Sequence, residues 1–368
     1  MQNLSNLFAN KCVAIFACLC ILGIVLFAFF TFSSYRRSNP PLQNRRFKAL
    51  RNEHNILMST RSLKYTTTEP DNKILDQPLP STGCGLPLVL KTGTATNIAM
   101  PSGKIQRLYR LYLPVHYTNT LQHPLLLNFH GYAANAYTQE RISQFDPLAN
   151  NNQFIVVYPN GTFDKFGLRG WNTGLHPSIT ANDVLFVSNL LNHLQSNFCI
   201  NPAQIYATGF SNGGGFVNLL ACKLSNRIAA FAPVSGSYVT PFKICTIKRP
   251  VPIIEFHGTA DKTVPYNGDL FTKEFSVLNW IDDWIKQDEC LKKPTILYQS
   301  TKIVAYTWPD CKSQAAIVHY KIINEPHVWP RILFPQTVNG QTQYVNAATI
   351  IWNFFSQHPL PSSLVKST

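Results

Sequence analysis

The sequence predicts an α/β chain: a doubly wound, mostly parallel sheet flanked by helices. Three observations carry this. Continuous apolar runs of strand length recur along the chain, as parallel strands covered on both faces require. Between them lie stretches with apolar residues at helical spacing, and such alternation gives right-handed crossovers. At one strand-to-helix junction stands Gly209-Phe210-Ser211-Asn212-Gly213, a serine between two glycines.

In chain order, strands are expected at 124–129 and 154–158. A helix follows at 183–198, with Val187, Leu190, Leu191, Leu194 and Phe198 on one face. Strand 204–208 enters the serine turn and a helix containing 216–221 leaves it. Strand 251–256 runs into His257-Gly258-Thr259-Ala260-Asp261, and a helix is expected over 272–288. Strand 315–323 runs into Asn324-Glu325-Pro326-His327, and a last helix spans 345–357.

A serine at a sharp strand-to-helix turn exposes its hydroxyl, and only very small residues fit two positions either side of it. The helix behind it aims its positive end at a developing oxyanion. The hydroxyl needs a neutral imidazole to take its proton, and the imidazole needs a carboxylate to fix its tautomer. Ser211, Asp261 and His327 follow in the chain order of α/β-hydrolases, acid and histidine each just after a strand. The rival acids Asp282 and Asp283 fall in a helical stretch, and His319 sits mid-strand as a packing residue. The oxyanion hole is expected from the backbone N–H of Asn212 and of Tyr132, in the loop His130-Gly131-Tyr132 after strand 124–129. Gly131 is the fallback donor, and His130 reads as a structural hydrogen-bonding residue. Trp171, Tyr266 and Trp329 are candidates for lining the pocket, with packing as the alternative for each.

The chain further carries Tyr158-Pro159-Asn160-Gly161, Gly170-Trp171-Asn172, Asn182-Asp183-Val184, Val264-Pro265-Tyr266 and His327-Val328-Trp329-Pro330, with Gly83-Cys84-Gly85-Leu86-Pro87 at the opening. In this order the motifs resemble the secreted esterase family of feruloyl esterases and polyhydroxybutyrate depolymerases, over about residues 83–358. The resemblance implies serine esterase activity with Ser211, Asp261 and His327 at the matching positions. The chain departs from the family at Asn324-Glu325-Pro326, where a glycine run is common, at Arg331, where a glycine is usual, and at Asn182, where an acidic residue is usual. The first two border the expected acyl pocket and bear on substrate more than on chemistry.

Outside the N-terminal span the chain has six cysteines, Cys84, Cys199, Cys222, Cys245, Cys290 and Cys311. An even set suits three disulfides and an oxidising compartment, although six cysteines allow fifteen pairings. Local closure together with the family resemblance pairs Cys222 with Cys245, Cys290 with Cys311 and Cys84 with Cys199. No cysteine or histidine cluster suggests a metal, and no cofactor is expected. Asn160-Gly161-Thr162 is a glycosylation acceptor pattern, and a turn role explains the same residues without a glycan.

Residues 12–32 are apolar and uncharged, long enough to cross a bilayer as a helix. The expected organisation is a short tail over 1–11, a transmembrane signal anchor over 12–32, a disordered stalk over 33–82 rich in Arg, Ser, Thr and Pro, and a catalytic domain over 83–368. The basic flank Arg36, Arg37, Arg45, Arg46, Lys48 and Arg51 puts the following side in the cytosol by the positive-inside rule, and the paired cysteines argue against that. The expectation is a single-pass membrane protein with an extracellular or luminal catalytic domain, secretion after cleavage being the alternative.

The formal net charge is +14, shared between both parts: residues 1–82 hold ten Lys/Arg against four Asp/Glu, the rest 22 against 14. No basic run interleaves with aromatics, which excludes a nucleic-acid-binding reading. The expected function is hydrolysis of hydroxycinnamoyl esters of plant cell-wall polysaccharide through an acyl-serine. The alternatives are a hydroxyalkanoate depolymerase or general short-chain esterase, and a non-catalytic adhesion protein on the same fold.

Overall fold

A computed structural model describes residues 73–238, 245, 247–269, 274–332, 334–338 and 341–365. The expected anchor at 12–32 and the stalk up to residue 72 lie outside the described residues. Among the described residues no helix is long and apolar enough to cross a membrane.

The strands are β1 (Thr96–Ser102), β2 (Ile105–Tyr112), β3 (His123–Phe129), β4 (Ile155–Pro159), β5 (Thr162–Phe163), β6 (Arg169–Gly170), β7 (Ile200–Phe210), β8 (Ala230–Val234), β9 (Ile253–Gly258), β10 (Thr295–Gln299), β11 (Ile303–Trp308), β12 (Ile317–Ile322), β13 (Phe334–Val338) and β14 (Gln341–Val345). The helices are α1 (Ala136–Ser143), α2 (Phe145–Asn152), α3 (Asp183–Asn197), α4 (Asn212–Lys223), α5 (Val277–Gln287) and α6 (Ala347–Ser356).

Ten strands form one sheet in the order β1-β2-β4-β3-β7-β8-β9-β12-β11-β10. The run from β4 to β12 is parallel throughout. The antiparallel β1–β2 hairpin closes one edge and the antiparallel β11 and β10 extend the other. Eight of these strands, read without β10 and β11, have the order of an α/β-hydrolase, which is the fold expected from the sequence.

The central strands are buried on both faces, and their side chains divide by the two-residue period of a strand. Leu125, Leu127, Ile155, Val157 and Ile253 pack with Phe186 and Leu190 of α3, Phe216 and Leu220 of α4, and Trp280 and Trp284 of α5. Leu126, Val156 and Ile254 face the other way, onto Phe145 of α2 and Ile351, Trp352 and Phe355 of α6.

Caps fix where the helices begin. Asn182 accepts the Leu185 N–H at 3.0 Å and starts α3. Ser276 is extended and accepts the Asn279 N–H at 3.1 Å, so α5 begins at Val277 rather than at 272 as the periodicity predicts. Asn346 caps α6 through the Thr349 N–H at 2.9 Å.

Leu75 N–H donates to Ser188 Oγ at 2.9 Å, and Ser81 Oγ bonds the carbonyls of Gln195 and Phe198. Residues 75–81, which the composition places in the stalk, thus run along α3, held by side-chain and backbone partners that hydropathy does not register.

Candidate active site

The loops at the C-terminal ends of the parallel strands gather in one region. From β3 the chain moves outward to β4, then returns to β7 on the opposite side of β3. This reversal opens a crevice between β3 and β7, the place where such sheets bind ligands. The loop after β3 carries His130 to Tyr132, and Ser211 follows β7 directly.

Ser211 holds φ 57° and ψ −121°, a conformation that side chains other than glycine rarely adopt. Its backbone is tied on both sides: its N–H donates to Val234 O at 2.9 Å, and its carbonyl accepts from Gly215 and Ser237. The flanking glycines are sterically required. A Cβ on Gly209 would lie 2.6 Å from Gly213 O, and one on Gly213 would lie 2.3 Å from Phe129 O. The β3 loop packs against the serine, since a Cβ on Gly131 would sit 3.3 Å from Ser211 Cβ.

Asp261 lies three residues beyond β9, His327 beyond β12, and these strands are neighbours. His327 Nδ1 stands 2.6 Å from Asp261 Oδ2. Asp261 Oδ1 accepts the N–H groups of Thr263 at 2.9 Å and Val264 at 2.8 Å. Burial opposes ionisation of this carboxyl, but the hydrogen bonds from His257, His327 and Val264 outweigh it and hold its pKa well below the usual range. With Nδ1–H given to the carboxylate, Nε2 of His327 keeps a lone pair. The His327 ring packs 4.7 Å from that of Phe210, the residue before the serine, and keeps 16% of its side-chain surface open to solvent.

Asn212 opens α4, so its backbone N–H belongs to the first turn, which intrahelical bonding leaves free. Its side chain anchors the neighbouring loop: Oδ1 accepts Trp171 N–H at 2.7 Å, and Nδ2 donates to Trp171 O and Thr173 Oγ1. Tyr132 is clamped from two directions. Its hydroxyl donates to Asp164 in the β5–β6 hairpin, and its ring stacks on His176 at 4.0 Å. Burial and the Asp164 carboxylate push its hydroxyl up to about 12. His130 has the expected structural role: Nε2 accepts Gly161 N–H at 2.9 Å and Nδ1 bonds Gly131 O.

The pocket candidates lie deeper than a lining requires. Trp171 is fully buried, stacked on Phe216 at 4.9 Å with its indole N–H on His130 O. Tyr266 is buried with its hydroxyl 2.9 Å from His319 Nε2. Trp329 is buried against Phe145 at 6.0 Å. All three are buried and packed, the alternative given for each, because aromatic type and nearness in sequence do not tell which face a ring turns to. Asn160 Oδ1 accepts Ala136 N–H at 2.8 Å, a turn role at the acceptor pattern.

The three disulfides join Cys84 to Cys199, Cys222 to Cys245 and Cys290 to Cys311. Among the described residues no group of His, Cys, Asp or Glu could hold a metal ion.

Behind Asp261 lies a buried polar cluster that sequence reasoning missed. Glu255 and His257, two apart on β9, point to one face, and His319 on β12 stands opposite Glu255. Glu255 is fully buried and contacts His257, His319 and Tyr238. A signal existed: a glutamate inside an apolar strand must find partners when buried.

The sequence model of the phospholipase/carboxylesterase family matches residues 118–291, which hold Ser211 and Asp261. Feruloyl esterase B of Piromyces equi is 35% identical over 192 residues, covering 49% of this chain and 35% of that protein. A bifunctional acetylxylan esterase/xylanase of Neocallimastix patriciarum is 29% identical over 235 residues, 64% of this chain and 31% of that protein. Feruloyl esterase D of Neurospora crassa is 29% identical over 198 residues, 50% of this chain and 62% of that protein. The chain therefore spans about a third of the length of the first two relatives and under two thirds of the third.

Proposed function

We propose that this feruloyl-esterase-like α/β-hydrolase is a serine carboxylic-ester hydrolase acting on hydroxycinnamoyl esters of plant cell-wall polysaccharide. The observation that carries the reading is the 2.6 Å His327–Asp261 contact beside a serine held in a strained turn.

Ser211 Oγ attacks the ester carbonyl and forms the new C–O bond while its proton passes to His327 Nε2. The N–H groups of Asn212 and Tyr132 stabilise the oxyanion. The intermediate collapses, the bond to the alcohol breaks, and His327 returns the proton to the departing oxygen. Water then attacks the acyl-serine, giving its proton to His327, and Ser211 takes that proton back as the acid leaves. Asp261 holds the tautomer and balances the imidazolium in both halves.

The substrate class rests on the names of the relatives. A second reading, hydrolysis of short acyl esters such as acetylated xylan, is favoured by the similarity over 235 residues to a bifunctional acetylxylan esterase/xylanase. Three disulfides suit an oxidising compartment, which supports a catalytic part outside the cell or in a lumen. Anchoring through residues 12–32 rests on the length and hydropathy of that stretch alone.

The test compares the full chain with Ser211→Ala on methyl ferulate and on acetylated xylan. Ferulate release that vanishes in the variant is expected. Acetate release without ferulate release would support the second reading, and equal turnover by both proteins would overturn the serine mechanism.

A further inference from the structure

His257 is fully buried, yet both of its ring nitrogens face oxygen. Nε2 lies 2.9 Å from Val264 O, and a carbonyl can only accept, so Nε2 carries a proton. Nδ1 lies 3.0 Å from Glu255 Oε1. Glu255 has two further partners: Tyr238 O–H donates to Oε1 at 3.1 Å, and His319 Nδ1 bonds Oε2 at 2.6 Å, with His319 Nε2 taking the Tyr266 hydroxyl at 2.9 Å. Three donors on one carboxyl favour its ionised form, so the shared proton stays on His257. Burial alone would drive the ring neutral; hydrogen bonds with Asp261 and Glu255 and the charge of Glu255 overcome it and raise the ring to about 10.

The charge has a second neighbour. His257 Nε2 is 3.4 Å from Asp261 Oδ2, the oxygen that His327 uses. That distance is at the long end for a hydrogen bond, and the same N–H also faces Val264 O, so His257 brings a weak, shared bond and a charge to Asp261. We propose that His257 is a positioning residue of fixed positive charge, held by Glu255 on one side and set against Asp261 on the other, where it tempers the carboxylate's pull on the His327 proton. The proposal rests on the reading of His327 as the general base.

Tyr306 stacks on His319 at 6.4 Å and Lys321 lies 5.5 Å over the Tyr266 ring. Glu255 pairs with His257 on its Nδ1 side, and the Nε2 side of the charged ring is the one that faces Asp261. Without the positive charge, Asp261 would hold the His327 proton more tightly, and the base would be blocked up to a higher pH.

The test is a pH titration of the full chain with ¹⁵N-labelled histidine, following the ring nitrogens of His257 in wild type and Glu255→Gln, together with pH profiles of kcat/KM for wild type, His257→Gln and Glu255→Gln. In the wild type both His257 nitrogens should stay protonated from pH 5 to about pH 9, as a ring raised this far requires. In His257→Gln the acid limb of kcat/KM should move to higher pH by about one unit, the order expected for one charge a few ångströms away at protein dielectric. Glu255→Gln should move it the same way by less, because His257 then loses its counter-charge and its proton. A purely structural role would lower activity without moving the limb. A neutral His257 ring at pH 7 in the wild type overturns the proposal, as does an unmoved or lowered acid limb in a folded His257→Gln chain. If that variant fails to fold, the wild-type ring decides. The nitrogen shifts need no turnover, so they report on His257 even if the esterase reading fails.

Discussion

His327 Nδ1 meets Asp261 on Oδ2, while Oδ1 of the same carboxylate is taken up by the N–H groups of Thr263 and Val264. Each oxygen therefore has its own work, and the carboxylate cannot rotate without breaking backbone bonds.

That division predicts the effect of Asp261→Asn. The amide oxygen will keep the two backbone donors, which turns the NH₂ group toward His327 Nδ1. Nδ1 must then accept, Nε2 carries the proton, and the base is in the wrong tautomer. The kcat should fall by about 10⁴-fold with KM little changed. Steady-state kinetics of the full-length variant check this, and thermal melting should show the fold retained.

Asn212→Ala separates side chain from backbone. The variant keeps its N–H at the start of α4 but loses the bonds to Trp171 and Thr173. Unfolding free energy should drop by about 1–3 kcal/mol, since the Trp171 N–H is left buried without its partner. The loss in kcat should stay far smaller than in Ser211→Ala. Urea unfolding and kinetics on the same preparation test both parts.

The disulfides should differ in weight. Cys84–Cys199 closes 115 residues and Cys290–Cys311 closes 21. Chain-entropy reasoning gives roughly 5 kcal/mol for the first and about 3 for the second. Paired Cys→Ser variants compared by denaturant midpoint should fall in that order.

Asp288 gives a pH signature. Burial raises its pKa to about 7 against the opposing Val251 N–H and Arg249, and its Oδ2 has no hydrogen-bond partner among the described residues. A carboxyl whose folded pKa lies above its unfolded one contributes stability below the unfolded value and loses it as pH rises through the folded value. The wild type should lose up to roughly 4 kcal/mol from this group between pH 4 and pH 8, and Asp288→Asn should not. Urea unfolding of both proteins at the two pH values measures the difference.

The parts of the site that were legible in the sequence are those with local causes. Gly209 and Gly213 are dictated by contacts within the turn and its β3 neighbour, and Asp261 and His327 follow their strands directly. The strands 124–129 and 154–158 were readable because burial on both faces leaves them uniformly apolar. The β10–β11 hairpin was not assigned, although Ile303 to Trp308 is rich in β-branched and aromatic residues. Trp171 and Trp329 show the limit: an aromatic ring serves core and pocket equally, and tertiary packing alone decides which. The buried Glu255 with His257 two residues on was a signal within β9, but the third member, His319, joins them only when β9 and β12 pair.

The most direct test of the central claim is to quench the full chain during turnover of methyl ferulate and map the adduct by peptide mass spectrometry. A feruloyl group on Ser211, absent in Ser211→Ala and accumulating in Asp261→Asn only as slowly as that variant turns over, is the predicted result. An acyl group on another residue, or ferulate release undiminished in Ser211→Ala, would contradict it.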